Sequence, residues 1–183
     1  MNNNQNKWNI VDLLSHSRHD WMNKLQLIKG NLSMEKYDRV NDIIEEIIIE
    51  SQQESKLCNL KMPNFASLLL TFNWSSHHFV LDYEILGQIL SLEAYDTIIT
   101  QWSKSFFNIL DKSVDLSSEN HVSITIEIGS DKEGIRFFFD FNGIIKDIEQ
   151  ITDWLQAVEQ SQIKLNEFHV DTYELTAVIS LGI

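Results

Sequence analysis

At 183 residues and 43% hydrophobic side chains, the chain can bury the core of one large domain or of two small ones. Its 27 acidic and 14 basic residues give a net charge of -13, which argues against nucleic acid or an anionic membrane as the main partner, since both need a basic footprint. Cys58 is the lone cysteine, so an intramolecular disulfide is excluded and a reducing compartment fits.

Residues 1–7 open with Met1-Asn2-Asn3-Asn4-Gln5-Asn6, a polar low-complexity lead expected to be disordered. It lacks the charged-then-apolar order of a signal peptide, and no apolar run has the length of a membrane span. A cytoplasmic protein is the expectation.

The first helix is predicted from about Trp8 to about Asn31, with Gly30-Asn31 as its stop signal. Val11, Leu14, Arg18, Trp21, Leu25, Ile28 and Leu32 recur at a 3-4-3-4-3-4 spacing, the seam of a coiled coil or bundle. Arg18 is the seam's one polar member. Ser33 is expected to cap a second helix, whose Tyr37, Val40, Ile44 and Ile47 repeat the spacing, with Ile43, Ile48 and Ile49 widening the apolar stripe. The result is a helical hairpin over residues 8–57. Its stripe is too apolar for two helices in water, so pairing of two hairpins into a four-helix bundle is expected, making the protein a homodimer. The alternative cover is the C-terminal part of the same chain.

Residues 58–66 hold Cys58 and the lone proline, Pro63, and read as a linker. In the second domain, 67–183, Ser67 to Phe72 and His78 to Leu86 are strand candidates. A long helix is predicted over Leu92 to Leu116, then a strand over Val122 to Ile128, a hairpin turn over Ser130 to Gly134 and a paired strand over Ile135 to Phe141. A helix from about Asp147 to about Gln160 and a last strand over Tyr173 to Leu181 complete an α+β fold, a mainly antiparallel sheet with helices on one face.

One turn of about 100° per residue puts His19 off the seam, on a face with Asp12, Ser15, Met22, Asn23 and Gln26. A metal would want a ligand three or four positions on, where Met22 and Asn23 stand, so metal ligation is poorly served. A nucleophile needs only a neutral ring, open access and a group that orients the ring, a role within reach of Asp20 or Asn23. His16 lies about one turn earlier and adjoins the same surface. His77-His78 is set aside as a metal pair because neighbours on a strand face opposite ways; His121 and His169 have no neighbours at ligand spacing. No G-x-S-x-G, Walker or zinc-finger pattern is present.

Leu14-Ser15-His16-Ser17-Arg18-His19-Asp20-Trp21-Met22-Asn23-Lys24-Leu25-Gln26, continuing to Leu32, resembles the phosphohistidine helix of the sporulation-initiation phosphotransferase B family. The likeness extends through Lys36–Val40, Glu54–Leu57, Leu70–Trp74 and Ser118–His121, and so covers most of the chain. It implies a dimeric four-helix bundle joined to a C-terminal α/β sandwich resembling a degenerate histidine-kinase ATPase domain. It also implies relay of a phosphoryl group from the aspartyl-phosphate of one response regulator, through a histidine matched by His19, to the aspartate of a second. The chain itself would bind no cofactor, and Mg2+ would sit in the partner regulator. Arg18 would either pack in the bundle seam against an acidic residue, as its inward direction favours, or assist near the phosphoryl group. Asp20 or Asn23 would support His19 by holding the ring's other nitrogen, while Ser15, His16, Met22 and Gln26 would form the docking face.

The core Arg-His-Asp-x-x-Asn-x-Leu is similar also to the phosphoacceptor helix of sensor kinases, which supplies a rival, an autophosphorylating kinase. A non-catalytic scaffold that binds regulators is the third reading. Against the kinase, Asn108-Ile109-Leu110-Asp111-Lys112 resembles the nucleotide helix box but has Lys112 where the magnesium-binding asparagine is expected. Asp140-Phe141-Asn142-Gly143-Ile144 stands where an Asp-x-Gly-x-Gly loop would be, with Asn142 and Ile144 replacing both glycines, and no second glycine-rich loop follows.

Overall fold

The computed structural model describes residues 9–129, 134–157 and 163–182. It divides into two compact units, Met1–Gln52 and Gln53–Ile183. In the first, α1 runs Ile10–Ser33, capped by the Asn9 side chain, which accepts from the Asp12 N–H at 3.0 Å. The expected stop at Gly30-Asn31 does not occur. Gly30 has open space around it, and a helix absorbs an interior glycine for about 1 kcal/mol. The chain reverses instead at Glu35, in the left-handed region with φ 56°, as the Lys36 N–H closes on the Asn31 carbonyl. Ser33 is thus the last residue of α1, its hydroxyl donating to the Lys29 carbonyl, and not the cap of the next helix.

The second helix, α2, runs Tyr37–Asn59 and carries the chain from the first unit into the second. The stretch expected as a linker, 58–66, is correspondingly short. Only Leu60 to Met62 separate α2 from α3 (Pro63–Phe72), and Leu57, Leu60, Met62 and Phe65 are fully buried in the second unit's core. Pro63 begins a helix here, at a position where its missing N–H costs nothing. Ser67 to Phe72 is therefore helix and not strand. The buried Phe65, Ala66, Leu69 and Phe72 of α3 follow helical spacing, and the N-terminus of α3 is held by Asp96.

The second unit continues with β1 (Val80–Gly87), a single 3-10 turn (Glu93–Tyr95), α4 (Asp96–Ser113), β2 (His121–Ile128), β3 (Ile135–Asn142), α5 (Ile148–Ala157), β4 (Ile163–Val170) and β5 (Glu174–Leu181). The turn expected over 130–134 lies mostly outside the described residues, as do residues 158–160 of the predicted last helix. The sheet order is β1-β2-β3-β5-β4, with β1 and β2 parallel and every other pair antiparallel. The mixed α+β fold is as expected; β4 was not. Its alternation of Ile163 and Leu165 with Phe168 and Val170 is broken by a register shift between Leu165 and Glu167, a bulge that hides the strand's period.

Along β2, Val122, Ile124, Ile126 and Ile128 point inward, and Phe137, Phe139 and Phe141 of β3 do the same. They pack on Ile99, Trp102, Phe106 and Leu110 of α4 and on Ile151 and Leu155 of α5 in one continuous core. Trp102 is its centre, with ring centroids 5.0 Å from Phe139, 5.3 Å from Phe106 and 5.5 Å from Trp154. Asp96, buried at the start of α4, accepts from the backbone N–H groups of Asn64 and Phe65 at 3.1 and 2.8 Å. It also accepts from the Asn64 amide at 2.7 Å, so a carboxylate of one helix caps another.

Candidate functional site

His19 sits near the middle of α1 with its ring 72% exposed. Both of its contacts among the described residues are made through Nδ1: to Asp20 Oδ1 at 3.5 Å and to the Asn23 amide nitrogen at 3.3 Å. Asn23, one turn on, lies over the ring because i and i+4 share a helix face. A carboxylate at Nδ1 favours the tautomer with its proton there, which leaves the lone pair on Nε2, directed at solvent. The Asn23 amide acts in the same sense when its oxygen faces Nδ1, whereas its nitrogen, the atom at 3.3 Å, donates and favours an unprotonated Nδ1. The geometry is that of an accessible nitrogen nucleophile with a group behind it to accept positive charge.

Of the surrounding residues, Ser15, Met22 and Gln26 are exposed, and His16 is half-buried. Arg18 does not reach His19; in the single chain it is exposed, its Nη2 donating to Ser15 Oγ at 3.3 Å on its own helix. Of the remaining seam positions, Val11, Leu14, Trp21, Leu25 and Leu32 are likewise exposed apolar residues, and Ile28 is half-buried.

The loop expected in place of a glycine-rich phosphate cradle is closed on itself. The N–H groups of Gly143, Ile144 and Ile145 donate to Tyr173 O, Asn120 Oδ1 and Thr172 O at 3.0, 3.0 and 2.8 Å. Those of Lys146 and Asp147 both reach Ser113 O. Asn120 is the buried keystone, its amide nitrogen donating to the His78 and Asp115 carbonyls at 2.9 and 2.7 Å. A Cβ on Gly143 would stand 2.2 Å from Asn120 Oδ1, so glycine is needed here to admit the asparagine. Next to the loop, Ser117 and Lys146 hold the Asp115 carboxyl far below the usual range.

The His77-His78 pair departs from expectation. Both residues precede β1, so strand alternation does not apply, and both converge on Asp111 of α4. His77 Nδ1 lies 2.7 Å from Asp111 Oδ2 with its ring stacked on Phe72 at 3.9 Å, and the His78 N–H donates to Asp111 Oδ1 at 2.9 Å. Burial pushes the Asp111 carboxyl up, but the bonds from His77 and His78 outweigh it and hold the group below its ordinary range. The cluster pins the loop before β1 to α4. His169 also gains neighbours that its sequence spacing did not suggest, Asp171 and Glu174 across a hairpin turn.

Among the described residues, no helix is long and apolar enough to cross a membrane. Residues 1–60 match the family described as the sensor kinase SpoOB-type alpha-helical domain, and residues 61–182 the C-terminal domain of sporulation initiation phosphotransferase B. Sporulation initiation phosphotransferase B of Bacillus subtilis (strain 168) is 41% identical over 172 residues, covering 94% of this chain and 89% of that protein. Among solved structures, a blue-light activated histidine kinase of Erythrobacter litoralis overlays at TM-score 0.43, 14% identity, over 96% of this chain and 60% of that one. A bacterial phosphotransferase overlays at 0.41, 9% identity, over 95% and 98%. Overlays that loose carry no weight for fold or function. The family matches span nearly the whole sequence, and the chain belongs to the sporulation initiation phosphotransferase B family.

Proposed function

We propose that this chain is a phosphorelay phosphotransferase of sporulation initiation, taking a phosphoryl group from the aspartyl-phosphate of one response regulator onto His19 and passing it to the aspartate of a second. The observation that carries the reading is the exposed His19 ring with Nδ1 backed by Asp20 and Asn23 and Nε2 open. Nε2 attacks phosphorus in line; the N–P bond forms as the bond to the aspartyl oxygen breaks, and the aspartate leaves as carboxylate. The ring then carries a positive charge, which Asp20 at Nδ1 stabilises. The second regulator's aspartate reverses these steps. Positioning and charge neutralisation carry the chemistry, because a loose phosphoryl transition state needs little covalent help.

The regulator brings Mg2+ in its own acidic site; this chain supplies the nucleophile and the docking face of Ser15, His16, Met22 and Gln26. A nucleotide is not required, and the loop at Gly143–Asp147 supports that reading, since its five consecutive N–H groups already have protein acceptors. The exposed apolar seam supports a homodimer in which two hairpins form a four-helix bundle. The protein works in the cytoplasm, where regulators reside.

The test is to mix the full chain with a regulator carrying labelled aspartyl-phosphate, without ATP, and follow acid-labile, base-stable label. Label on the wild type that is absent from a folded His19→Gln variant is the expected result. Labelling by ATP alone, with none from any regulator, would replace the relay with a kinase. Regulator binding with no label from either source would leave a scaffold.

A further inference from the structure

The β4–β5 hairpin brings together three metal-ligating side chains on the second unit, apart from the helix that holds His19. His169 is the last residue but one of β4, Asp171 opens the turn and Glu174 begins β5. One donor atom from each lies within 4.8 Å of the other two. His169 Nε2 stands 3.5 Å from Asp171 Oδ2 and 3.8 Å from Glu174 Oε1. These separations are long for hydrogen bonds of about 2.7–3.0 Å. They are close to the edge of about 3.4 Å between ligands that sit 2.0–2.2 Å from one tetrahedral ion.

The turn is held from outside as well as within. Asp171 Oδ1 accepts the N–H groups of Tyr173 and Glu174 at 2.7 and 2.9 Å, which leaves Oδ2 to face His169. The carbonyls of Thr172 and Tyr173 are tied to the N–H groups of Ile145 and Gly143. A ligating carboxylate whose second oxygen is fixed by hydrogen bonds is the arrangement that orients ligands in metal sites.

We propose that this hairpin binds a divalent transition ion, with Zn2+ the best fit, through His169 Nε2, Asp171 Oδ2 and Glu174 Oε1. One imidazole and two carboxylates suit zinc better than Mg2+, which favours an all-oxygen octahedron. All three side chains are about half exposed, so three protein ligands leave a fourth position to water or to a donor from another molecule.

The test is a calorimetric titration of the full chain with ZnCl2 at pH 7.5, paired with amide NMR shifts and repeated with MgCl2. About one equivalent of Zn2+ should bind, shifting Val170 to Leu175 first. His169→Ala and Glu174→Gln should each weaken it at least about tenfold while far-UV circular dichroism stays that of the wild type. Zinc binding that is unchanged in both variants, shifts confined to other segments, or the absence of any binding would each overturn the proposal. So would Mg2+ binding as tightly as Zn2+.

Discussion

The helical unit and the sheet unit are both rich in large apolar side chains, but they put them to opposite uses. In the sheet unit the apolar residues converge on Trp102 in a closed core. In the helical unit α1 buries no residue at all, Val40 and Ile43 are the buried apolar positions of α2 before Gln52, and Val11, Leu14, Trp21, Leu25 and Leu32 of the seam are exposed. One unit is complete as a single chain. The other leaves the apolar face of α1 exposed, although isolated helices draw most of their stability from packing such a face. Periodicity reports where apolar side chains align; it does not say whether their partner lies in the same molecule.

The strongest way to break this contrast is to attack the closed core. Trp102→Ala should cost the sheet unit about 3–5 kcal/mol, because the cavity is walled by Phe106, Phe139 and Trp154 and cannot collapse easily. Urea unfolding followed by near-UV circular dichroism measures it, and a loss below about 1 kcal/mol would mean the core is far looser than its burial implies. Next in size is Asp96→Ala. It leaves the buried Phe65 N–H and the partly buried Asn64 N–H of α3 without their acceptor and should cost about 2–3 kcal/mol in the same assay.

The contrast is sharpened from the other side by Leu25→Asp on the exposed seam. It removes nothing from the core, so the sheet unit's urea midpoint should stay within about 0.5 kcal/mol of the wild type. Self-association, read by sedimentation equilibrium, should weaken by at least about tenfold, or ~1.4 kcal/mol. A wild type that remains monomeric at every concentration would show that the seam serves something other than a second copy.

What the sequence revealed divides along the same lines. The seam, the alternating strands β2 and β3 and the α4 core spacing are visible because each repeats its period without interruption. The pieces that periodicity does not reveal are those where tertiary contacts decide. Ser67 to Phe72 has the composition of a short buried strand, yet Asp96 caps it as a helix from 31 residues away. The bulge between Leu165 and Glu167 erased the signal of β4. At the candidate site, His19 and Asn23 are a local i, i+4 relation and could be read directly, whereas His77, Asp111, His169 and Glu174 meet through long-range packing or a hairpin turn.

The smallest expected effect concerns the loop that joins α3 to β1, a place where the closed unit is held by polar groups in place of apolar ones. Asp111 has an ordinary value of 3.8 and is lowered in the folded state; burial opposes this, but the hydrogen bonds of His77 and His78 prevail. A carboxyl lowered by folding contributes stability that is present above its unfolded value and lost as pH falls through the folded one. Asp111→Asn should therefore lower stability near neutral pH, by up to about 1 kcal/mol for a partly exposed pair. The gap to the wild type should narrow below pH 3.8 as the native carboxyl itself takes up a proton. Asp115 and Asp171, which are also lowered, titrate in both proteins and cancel in the difference. Urea midpoints compared across the acid range provide the check. A gap that persists unchanged to the lowest pH would assign the effect to the geometry of the loop and not to charge on Asp111.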